Sequence, residues 1–177
     1  MISSETDRAV ARSVRPIPRL HVVTDDAVLG RPDLLDIATE IARCSADVAV
    51  HLRGPRADGR TLYRLGTELS DRFEAAPGWL VVNDRVDVAL AVGADAAQLG
   101  GRSLGPGDLP PAADALRIGR SAPDRAEVPS REEDPGQGGA GRTDWWFIGT
   151  IFSTPSHPGR PGGGHARVAE FSAAATV

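Results

Sequence analysis

Short, almost continuous apolar runs alternate with helical patterns along most of this chain, and this alternation constrains its fold most strongly. Runs such as VAVHL and WLVV are apolar at consecutive positions, whereas a half-exposed strand would alternate apolar and polar residues. Strands of this kind are covered on both faces, which favours a parallel sheet with helical crossovers. Six units follow in order and fit either a doubly wound sheet or a (β/α) barrel. We expect strands at 19–26, 46–54, 78–85, 95–101, 116–124 and 143–152, helices at 32–44, 60–76, 86–94 and 164–175, and a turn with a weak helix at 105–116.

One segment interrupts the alternation. Residues 125–141 stand where a crossover helix is expected, but Pro129, Pro135 and several glycines make a full helix unfavourable there. We expect one short helical turn at most, followed by a mobile loop.

Composition places the chain among soluble globular proteins. Its 177 residues suffice for one domain, and 41% are hydrophobic and 25% charged. A net charge of −4, spread along the chain, argues against a nucleic-acid partner. No apolar run approaches the length of a membrane span, and the first residues lack the apolar segment of a secretory signal. We expect a disordered leader over residues 1–18 and one domain over 19–177.

The cysteine and lysine content indicates the cellular compartment and limits the chemistry that the site can perform. Cys44 is the only cysteine, so no internal disulfide forms, which fits the cytoplasm; its helical pattern predicts a buried thiol. Every basic residue apart from histidine is Arg, which excludes a Schiff base on lysine. A phosphate would therefore be held by Arg side chains and backbone N–H groups.

Polar residues stand where the predicted strands end, and both candidate folds place ligand sites at the carboxyl ends of strands. Arg53 follows VAVHL and is suited to holding a phosphate, with a surface ion pair as the alternative. His51, two residues earlier, is predicted to fill the interior. Asn83 offers an amide that can contact a heterocycle. Asp84 offers a Mg²⁺ ligand or, alternatively, a helix N-cap. The other polar strand ends are Thr24, Asp25, Asp26, Gln98, Arg120, Ser121, Thr150 and Ser153.

The stretch GTIFSTPSHPGRPGGG, residues 149–164, combines hydroxyl groups with flexible backbone. Thr154, Ser156 and Gly163 are candidate phosphate ligands, because glycine lets backbone N–H groups approach an anion before a helix begins. His157 is a candidate general acid or base, with a solvated loop histidine as the alternative. Ser121 lacks the G-x-S-x-G context of a hydrolase nucleophile.

Several blocks, in this order, resemble the thiamine phosphate synthase/TenI family. The blocks are LHVVTDD, VAVHLRG, LVVNDRVDVALAVGADAAQLG, RIGRS and FIGTIFSTPSHPGRPGGG, and they cover most of residues 19–177. The resemblance implies a TIM barrel. It also implies one of two activities in thiamine biosynthesis. A synthase joins a pyrimidine pyrophosphate to a thiazole phosphate with Mg²⁺ and releases pyrophosphate. A TenI-type tautomerase aromatises a thiazole carboxylate phosphate.

The resemblance also assigns roles to individual residues. Arg53 matches a phosphate-contacting Arg, Asn83 a ligand-contacting Asn and Asp84 a Mg²⁺ ligand. Ser121 matches a ligand-contacting Ser and is, with His157, a catalytic candidate. Thr154 and Ser156 match threonines that contact pyrophosphate and thiazole phosphate.

Four positions depart from the synthase or TenI pattern. Two synthase lysines are replaced by Pro55 and His157, the second Mg²⁺ aspartate by Ser103, and the TenI histidine by Pro123. The lost carboxylate and lysines favour the TenI-like activity, because a leaving pyrophosphate needs electrostatic stabilisation. Weaker alternatives are a synthase with relaxed metal use and a non-catalytic binder or regulator.

The six units fall short of the eight that a TIM barrel requires. We therefore expect an incomplete barrel, from a truncated member of the family or one completed by another chain. Two bare strand edges would favour association, and a homo-oligomer is one arrangement that covers them.

Overall fold

The computed structural model describes residues 15–122, 143–153, 159 and 162–175. Six parallel strands form one sheet in which strand order follows chain order. Every pairing joins consecutive strands, which is the order of a (β/α) barrel and not that of a doubly wound sheet. The strands are β1 (Leu20–Val23), β2 (Val48–Leu52), β3 (Trp79–Asn83), β4 (Ala96–Leu99), β5 (Arg117–Ala122) and β6 (Trp145–Ile148).

Two helices begin where an aspartate side chain accepts a hydrogen bond from a backbone N–H group of the first turn. Asp25 caps the first helix through the N–H of Val28, and Asp58 caps a longer one through that of Thr61. The helices are α1 (Asp26–Leu29), α2 (Leu34–Cys44), α3 (Gly59–Phe73), α4 (Val86–Ala91) and α5 (Gly164–Ala175), with 3₁₀ turns at Pro106–Asp108 and Pro111–Ala115.

The larger core lies between the sheet and the helices. Side chains alternate across each strand, so every second residue of β2 and β3 points to the helices. There Leu52, Leu80 and Val82 pack against Leu69 of α3, and these four residues are almost completely buried. This aliphatic layer is the convex face of the sheet.

The opposite, concave face is narrow and closes on itself. Six strands about 4.8 Å apart would separate β1 from β6 by roughly 24 Å in a flat sheet. Instead, the ring of His21 on β1 lies 4.9 Å from that of Phe147 and 5.7 Å from that of Trp145, both on β6. The sheet is therefore curled into a half-barrel whose interior is filled by side chains. This confirms the incomplete (β/α) barrel expected from the sequence.

The amino end of the half-barrel is closed by residues 15–18. Arg15 pairs with Asp95 at 3.3 Å and lies over the ring of Trp79, while Ile17 packs against the concave cluster. These contacts hold residues 15–18 against the domain, whereas residues 1–14 lie outside the described residues, so the extent of the expected leader stays a prediction. A cavity of about 280 Å³ lies beside Arg15 and Asp95, at the opposite end from the polar strand ends.

Other expectations about local structure need correction. Helix α1 was missed, because four residues are too few to show a helical period. Helix α2 begins at Leu34 rather than at Pro32, after Asp33. Cys44 is helical as expected but exposed, with its thiol against the carbonyl of Glu40, because it lies on the solvent side of the last turn. The expected loop at 125–141 lies outside the described residues. Within the described residues, no helix is both long and apolar enough to cross a bilayer.

Candidate functional site

Strands β1 and β2 are tied together where they end. The Thr24 hydroxyl accepts a hydrogen bond from the backbone N–H of Arg53 at 2.8 Å and lies 3.0 Å from the carbonyl oxygen of His51. Thr24 is buried, so this contact fixes the direction in which the chain leaves β2. The half-buried side chain of Arg53 therefore starts from a rigid point at the rim.

The guanidinium of Arg53 makes neither a hydrogen bond nor an ion pair with the described residues. Most other arginines in this part of the chain pair with a carboxylate, among them Arg31 with Asp33 and Arg56 with Asp26. Two groups of Arg56, its backbone N–H and its guanidinium, hold the pKa of Asp26 below its usual range, and the charge of Arg53 adds to this effect. Arg53 is thus a cation beside an already satisfied carboxylate, which suits it to an external anion.

Asp84 links the ends of β3 and β4. Its Oδ1 atom lies 2.5 Å from the Ser103 hydroxyl and accepts from the backbone N–H of Gly100 at 3.1 Å. The alternative that Asp84 is the N-cap of α4 is wrong, since Arg85 occupies that position. Asp84 has a φ of 64°, a left-handed conformation that Asp and Asn tolerate better than most residues. The carboxylate is exposed at the rim.

Asn83 ends β3 on the concave face, beside two histidines. Its Oδ1 atom lies 2.9 Å from Nδ1 of His51, whose Nε2 lies 2.7 Å from Nδ1 of His21. His51 is fully buried, as the sequence predicts, and burial lowers its pKa to about 4. Burial also lowers the pKa of His21. The half-buried amide of Asn83 is the outermost group of this row.

Gln98 and Ser121 continue the concave face on β4 and β5. Gln98 is 1% exposed, and its Nε2 donates to the Ser121 hydroxyl at 3.2 Å. The Oε1 atom of Gln98 is buried without a hydrogen-bond partner among the described residues. Gly119 provides the room, because a Cβ there would lie 2.2 Å from this oxygen and 2.2 Å from the ring of Trp145. Since the Ser121 oxygen accepts from Gln98, its O–H remains available to a ligand.

The glycines after β6 return to the end of that strand. The backbone N–H of Gly163 donates to the carbonyl oxygen of Thr150 at 2.9 Å, and that of Gly164 to Ile151 at 2.8 Å. The Gly163 N–H is thus bound within the protein, and its role toward phosphate stays a prediction. Thr154, Ser156 and His157 lie outside the described residues, as does Pro123.

The described side chains offer a limited site for Mg²⁺. They contain no group of three or more carboxylates, histidines or cysteines arranged around one point. Asp84 with Ser103 is a fragment of such a site. One carboxylate is enough where the substrate's own phosphates supply most of the ligands, as is usual for Mg²⁺. The donor set therefore fits Mg²⁺ that binds together with a pyrophosphate.

The sequence was sufficient to predict most of the polar residues at this rim, but not the position of His21. Arg53, Asn83, Asp84 and Ser121 all lie at the carboxyl ends of β2, β3 and β5, although they do not all touch one another. His21 was not singled out. The available signal was the alternation of side chains between the two faces of a strand. His21 pairs with Ala49 in register, so it shares the concave face with Ala49 and with His51, two residues after Ala49.

Comparisons with known proteins agree with the fold. The family model TMP-TENI, described as thiamine monophosphate synthase, matches residues 20–177. A thiamine-phosphate synthase from Deinococcus radiodurans is 34% identical over 154 residues, which are 84% of this chain and 47% of that protein. Those from Roseiflexus castenholzii and Thermobifida fusca are 36% and 35% identical, over 78% and 88% of this chain and 58% and 68% of theirs.

A solved structure agrees as well. Thiamine phosphate pyrophosphorylase from Pyrococcus furiosus superposes with a TM-score of 0.53 at 28% identity, covering 77% of this chain and 62% of that one. The chain thus spans about half to two thirds of the length of the relatives it matches. On the strength of the family model and these relatives, the chain belongs to the thiamine monophosphate synthase family.

Proposed function

We propose that the carboxyl-end rim of the half-barrel binds a phosphorylated heterocycle of thiamine biosynthesis. The observation that carries this proposal is the Arg53 guanidinium, which has no partner among the described residues although most of its counterparts are paired. It stands at the same rim as the amide of Asn83 and the hydroxyl of Ser121. A cation for phosphate and neutral polar groups for a ring are what such a ligand requires.

The reaction we propose first is that of a synthase, in which a thiazole phosphate displaces pyrophosphate from a pyrimidine pyrophosphate. The names of the similar proteins support this order. Arg53 would bind a phosphate, while Asn83 and Ser121 orient a heterocycle. Asp84 would hold Mg²⁺, whose chemistry is to neutralise charge on the departing pyrophosphate.

The second candidate is the TenI-type thiazole tautomerase favoured by the sequence analysis. The observation in its favour is the Ser103 hydroxyl, which lies 2.5 Å from Asp84 where the synthase pattern has a second carboxylate. A tautomerase moves protons and has no pyrophosphate to release, so a single carboxylate is no handicap to it. His157 and Ser121 remain its proposed acid–base candidates.

The experiment that separates the candidates uses the full chain and both substrate sets. With a pyrimidine pyrophosphate, a thiazole phosphate and Mg²⁺, a synthase releases pyrophosphate and forms thiamine phosphate. With a thiazole carboxylate phosphate tautomer alone, a tautomerase changes the ultraviolet spectrum without Mg²⁺. If neither reaction occurs but thiazole phosphate binds, the chain is a binder or regulator.

A matched pair of variants tests the role of Asp84. Asp84→Asn keeps the left-handed backbone acceptable and should lower pyrophosphate release by at least about 100-fold. Asp87→Asn removes one exposed carboxylate that pairs with Arg85 and should leave the rate within about twofold. Equal rates in the two variants would contradict a metal-binding role for Asp84.

We propose that residues 19–177 form one domain, acting in the cytoplasm on small molecules. Homo-oligomerisation remains a proposal, to be tested by light scattering.

A further inference from the structure

Three contacts in a row connect the amino side of β1 to the rim. The carbonyl oxygen of Pro18 lies 2.9 Å from Nε2 of His21. Nδ1 of His21 lies 2.7 Å from Nε2 of His51. Nδ1 of His51 lies 2.9 Å from the amide oxygen position of Asn83. All three distances are those of hydrogen bonds, so each needs one donor and one acceptor.

The protons in this row can be assigned from one end. A carbonyl oxygen only accepts, so Nε2 of His21 carries a proton that points to Pro18. A neutral imidazole has one N–H, which leaves Nδ1 of His21 as an acceptor. Nε2 of His51 must then donate to it, and Nδ1 of His51 becomes an acceptor in turn. An amide oxygen cannot satisfy that acceptor, whereas an amide NH₂ can.

Turning the Asn83 amide by 180° is the simple way to complete the row. The two ends of an amide have nearly the same shape, so the turn exchanges NH₂ and C=O without a change of packing. The opposite assignment would leave Nε2 of His21 and the Pro18 oxygen as two facing acceptors at 2.9 Å. A backbone carbonyl cannot turn to relieve that contact.

A positively charged pair is the competing solution, and burial opposes it. With one extra proton three of the four ring nitrogens would donate, the fourth accepting within the contact between the two rings, and Asn83 could keep its oxygen toward His51. His51 is fully buried, however, and its pKa is lowered to about 4 by burial. The neighbouring rings of Trp145 and Phe147 carry no charge that would favour an imidazolium. The neutral row is therefore the form expected at pH 7.

Aromatic packing fixes the orientation of the two imidazole rings. Phe147 stacks on His51 with centroids 5.6 Å apart and an interplanar angle of 28°. The same Phe147 meets His21 edge-on at 4.9 Å. Ring rotation about χ2 would break these contacts as well as the hydrogen bonds. The row is thus held from the side as well as from its ends.

We propose that His21 and His51 are positioning residues, which hold the Asn83 amide with its NH₂ group on Nδ1 of His51 and its carbonyl oxygen available at the rim. The ligand group that contacts Asn83 is then a hydrogen-bond donor, and an acceptor at that place is rejected. This consequence for the ligand rests on the proposed function. The orientation of the amide does not.

The test is nitrogen NMR on the full chain without any ligand. Asn83 is the only Asn in the sequence and there are four histidines, so selective ¹⁵N labelling gives few signals. Long-range ¹⁵N–¹H spectra at pH 7.5 distinguish the two neutral tautomers. We expect N–H on Nε2 of both His21 and His51, and an N–H···N coupling between Asn83 and His51. A proton on Nδ1 of His51 would overturn the proposal.

A variant sharpens the result. In His21→Phe, Nε2 of His51 loses its acceptor, so His51 should change to the Nδ1–H tautomer and the coupling to Asn83 should vanish. His165→Phe removes an exposed histidine that contacts Phe152 and should change neither signal. An unchanged His51 tautomer in a folded His21→Phe protein would contradict the relay. If His21→Phe does not fold, the wild-type spectrum decides alone. Because no substrate is added, failure here is distinct from failure of the proposed activity.

Discussion

The two faces of one sheet are built in different ways. On the convex face Leu52, Leu69 and Val82 form an aliphatic layer in which shape alone decides the packing. On the concave face buried polar atoms lie among aromatic rings, and Nε1 of Trp79 and of Trp145 and Oε1 of Gln98 have no hydrogen-bond partner among the described residues. Buried polar atoms without partners are costly. The convex face thus serves stability, and the concave face gives up some stability to hold polar groups in its interior.

The largest effect is expected from a cavity in the convex face. Leu69→Ala removes a fully buried side chain and should lower the free energy of unfolding by about 3 kcal/mol, measured by urea denaturation. Tyr63→Ala, on the exposed side of the same helix, is the control and should cost less than about 1 kcal/mol. Similar losses in the two variants would mean that the convex layer is not the main core.

Acid should lower the free energy of unfolding of the domain, and the cause lies in the histidines of the concave face. The pKa of His51 is about 4 in the folded protein and 6.5 in the unfolded chain, so the unfolded state binds more protons between these values. The contribution of His51 to the free energy of unfolding is therefore fully present above pH 6.5. It is lost as pH decreases toward 4, by about 2 kcal/mol between pH 7 and 5. His21, whose pKa is also lowered, adds in the same direction.

The control for this pH dependence is His51→Gln, which cannot titrate. Its unfolding free energy should change with pH by about 2 kcal/mol less than that of the wild type over the same range. The carboxylates with lowered pKa, such as those of Asp26 and Asp58, titrate below this range and affect both proteins equally. Parallel pH profiles for the two proteins would show that His51 does not contribute.

Filling the space at Gly119 should damage the concave face only. A Cβ there would lie 2.2 Å from Gln98 and Trp145, so Gly119→Ala should cost about 1.5 kcal/mol of stability. It should also displace the Gln98–Ser121 hydrogen bond, visible as a shift of the Gln98 side-chain NH₂ signal. Gly101→Ala, where a Cβ meets nothing within 4 Å, is the matched control. Equal stability in the two variants would contradict the close packing.

The smallest effect on stability and the clearest on binding should come from Arg53. Arg53→Gln removes a cation that has no partner among the described residues, so unfolding should change by less than about 0.5 kcal/mol. Binding of thiazole phosphate, measured by calorimetry, should weaken by about tenfold because a charge-assisted hydrogen bond is lost. Arg43→Gln, at the other end of the molecule, should leave the affinity unchanged. Equal affinities in both variants would contradict a role for Arg53 in phosphate binding.

The contrast between the faces also explains what the sequence could predict. Consecutive apolar residues in β2 and β3 require cover on both sides of the strands, which was enough to predict a parallel sheet. The rim followed from the same reasoning, since Arg53 and Asn83 come directly after apolar runs. These are local signals that one chain segment carries alone. The strand order of a barrel followed only from the family resemblance.

Other features depend on contacts that no local pattern contains. His21 meets Phe147 only because the sheet curls, and the curl is a property of all six strands. The contact of Ser103 with Asp84 joins residues from two loops. The prediction that Cys44 is buried was wrong, since a helical period does not say which side of the last turn faces solvent.

The most direct test of a ligand site at the rim is a titration of the uniformly ¹⁵N-labelled chain with thiazole phosphate, followed by two-dimensional NMR. We expect saturable shifts of the Asn83 side-chain NH₂ and of the backbone signals of Ser121 and Arg53, with those of the convex helices unchanged. Shifts confined to the cavity beside Arg15 and Asp95, or no shifts at millimolar ligand, would contradict it.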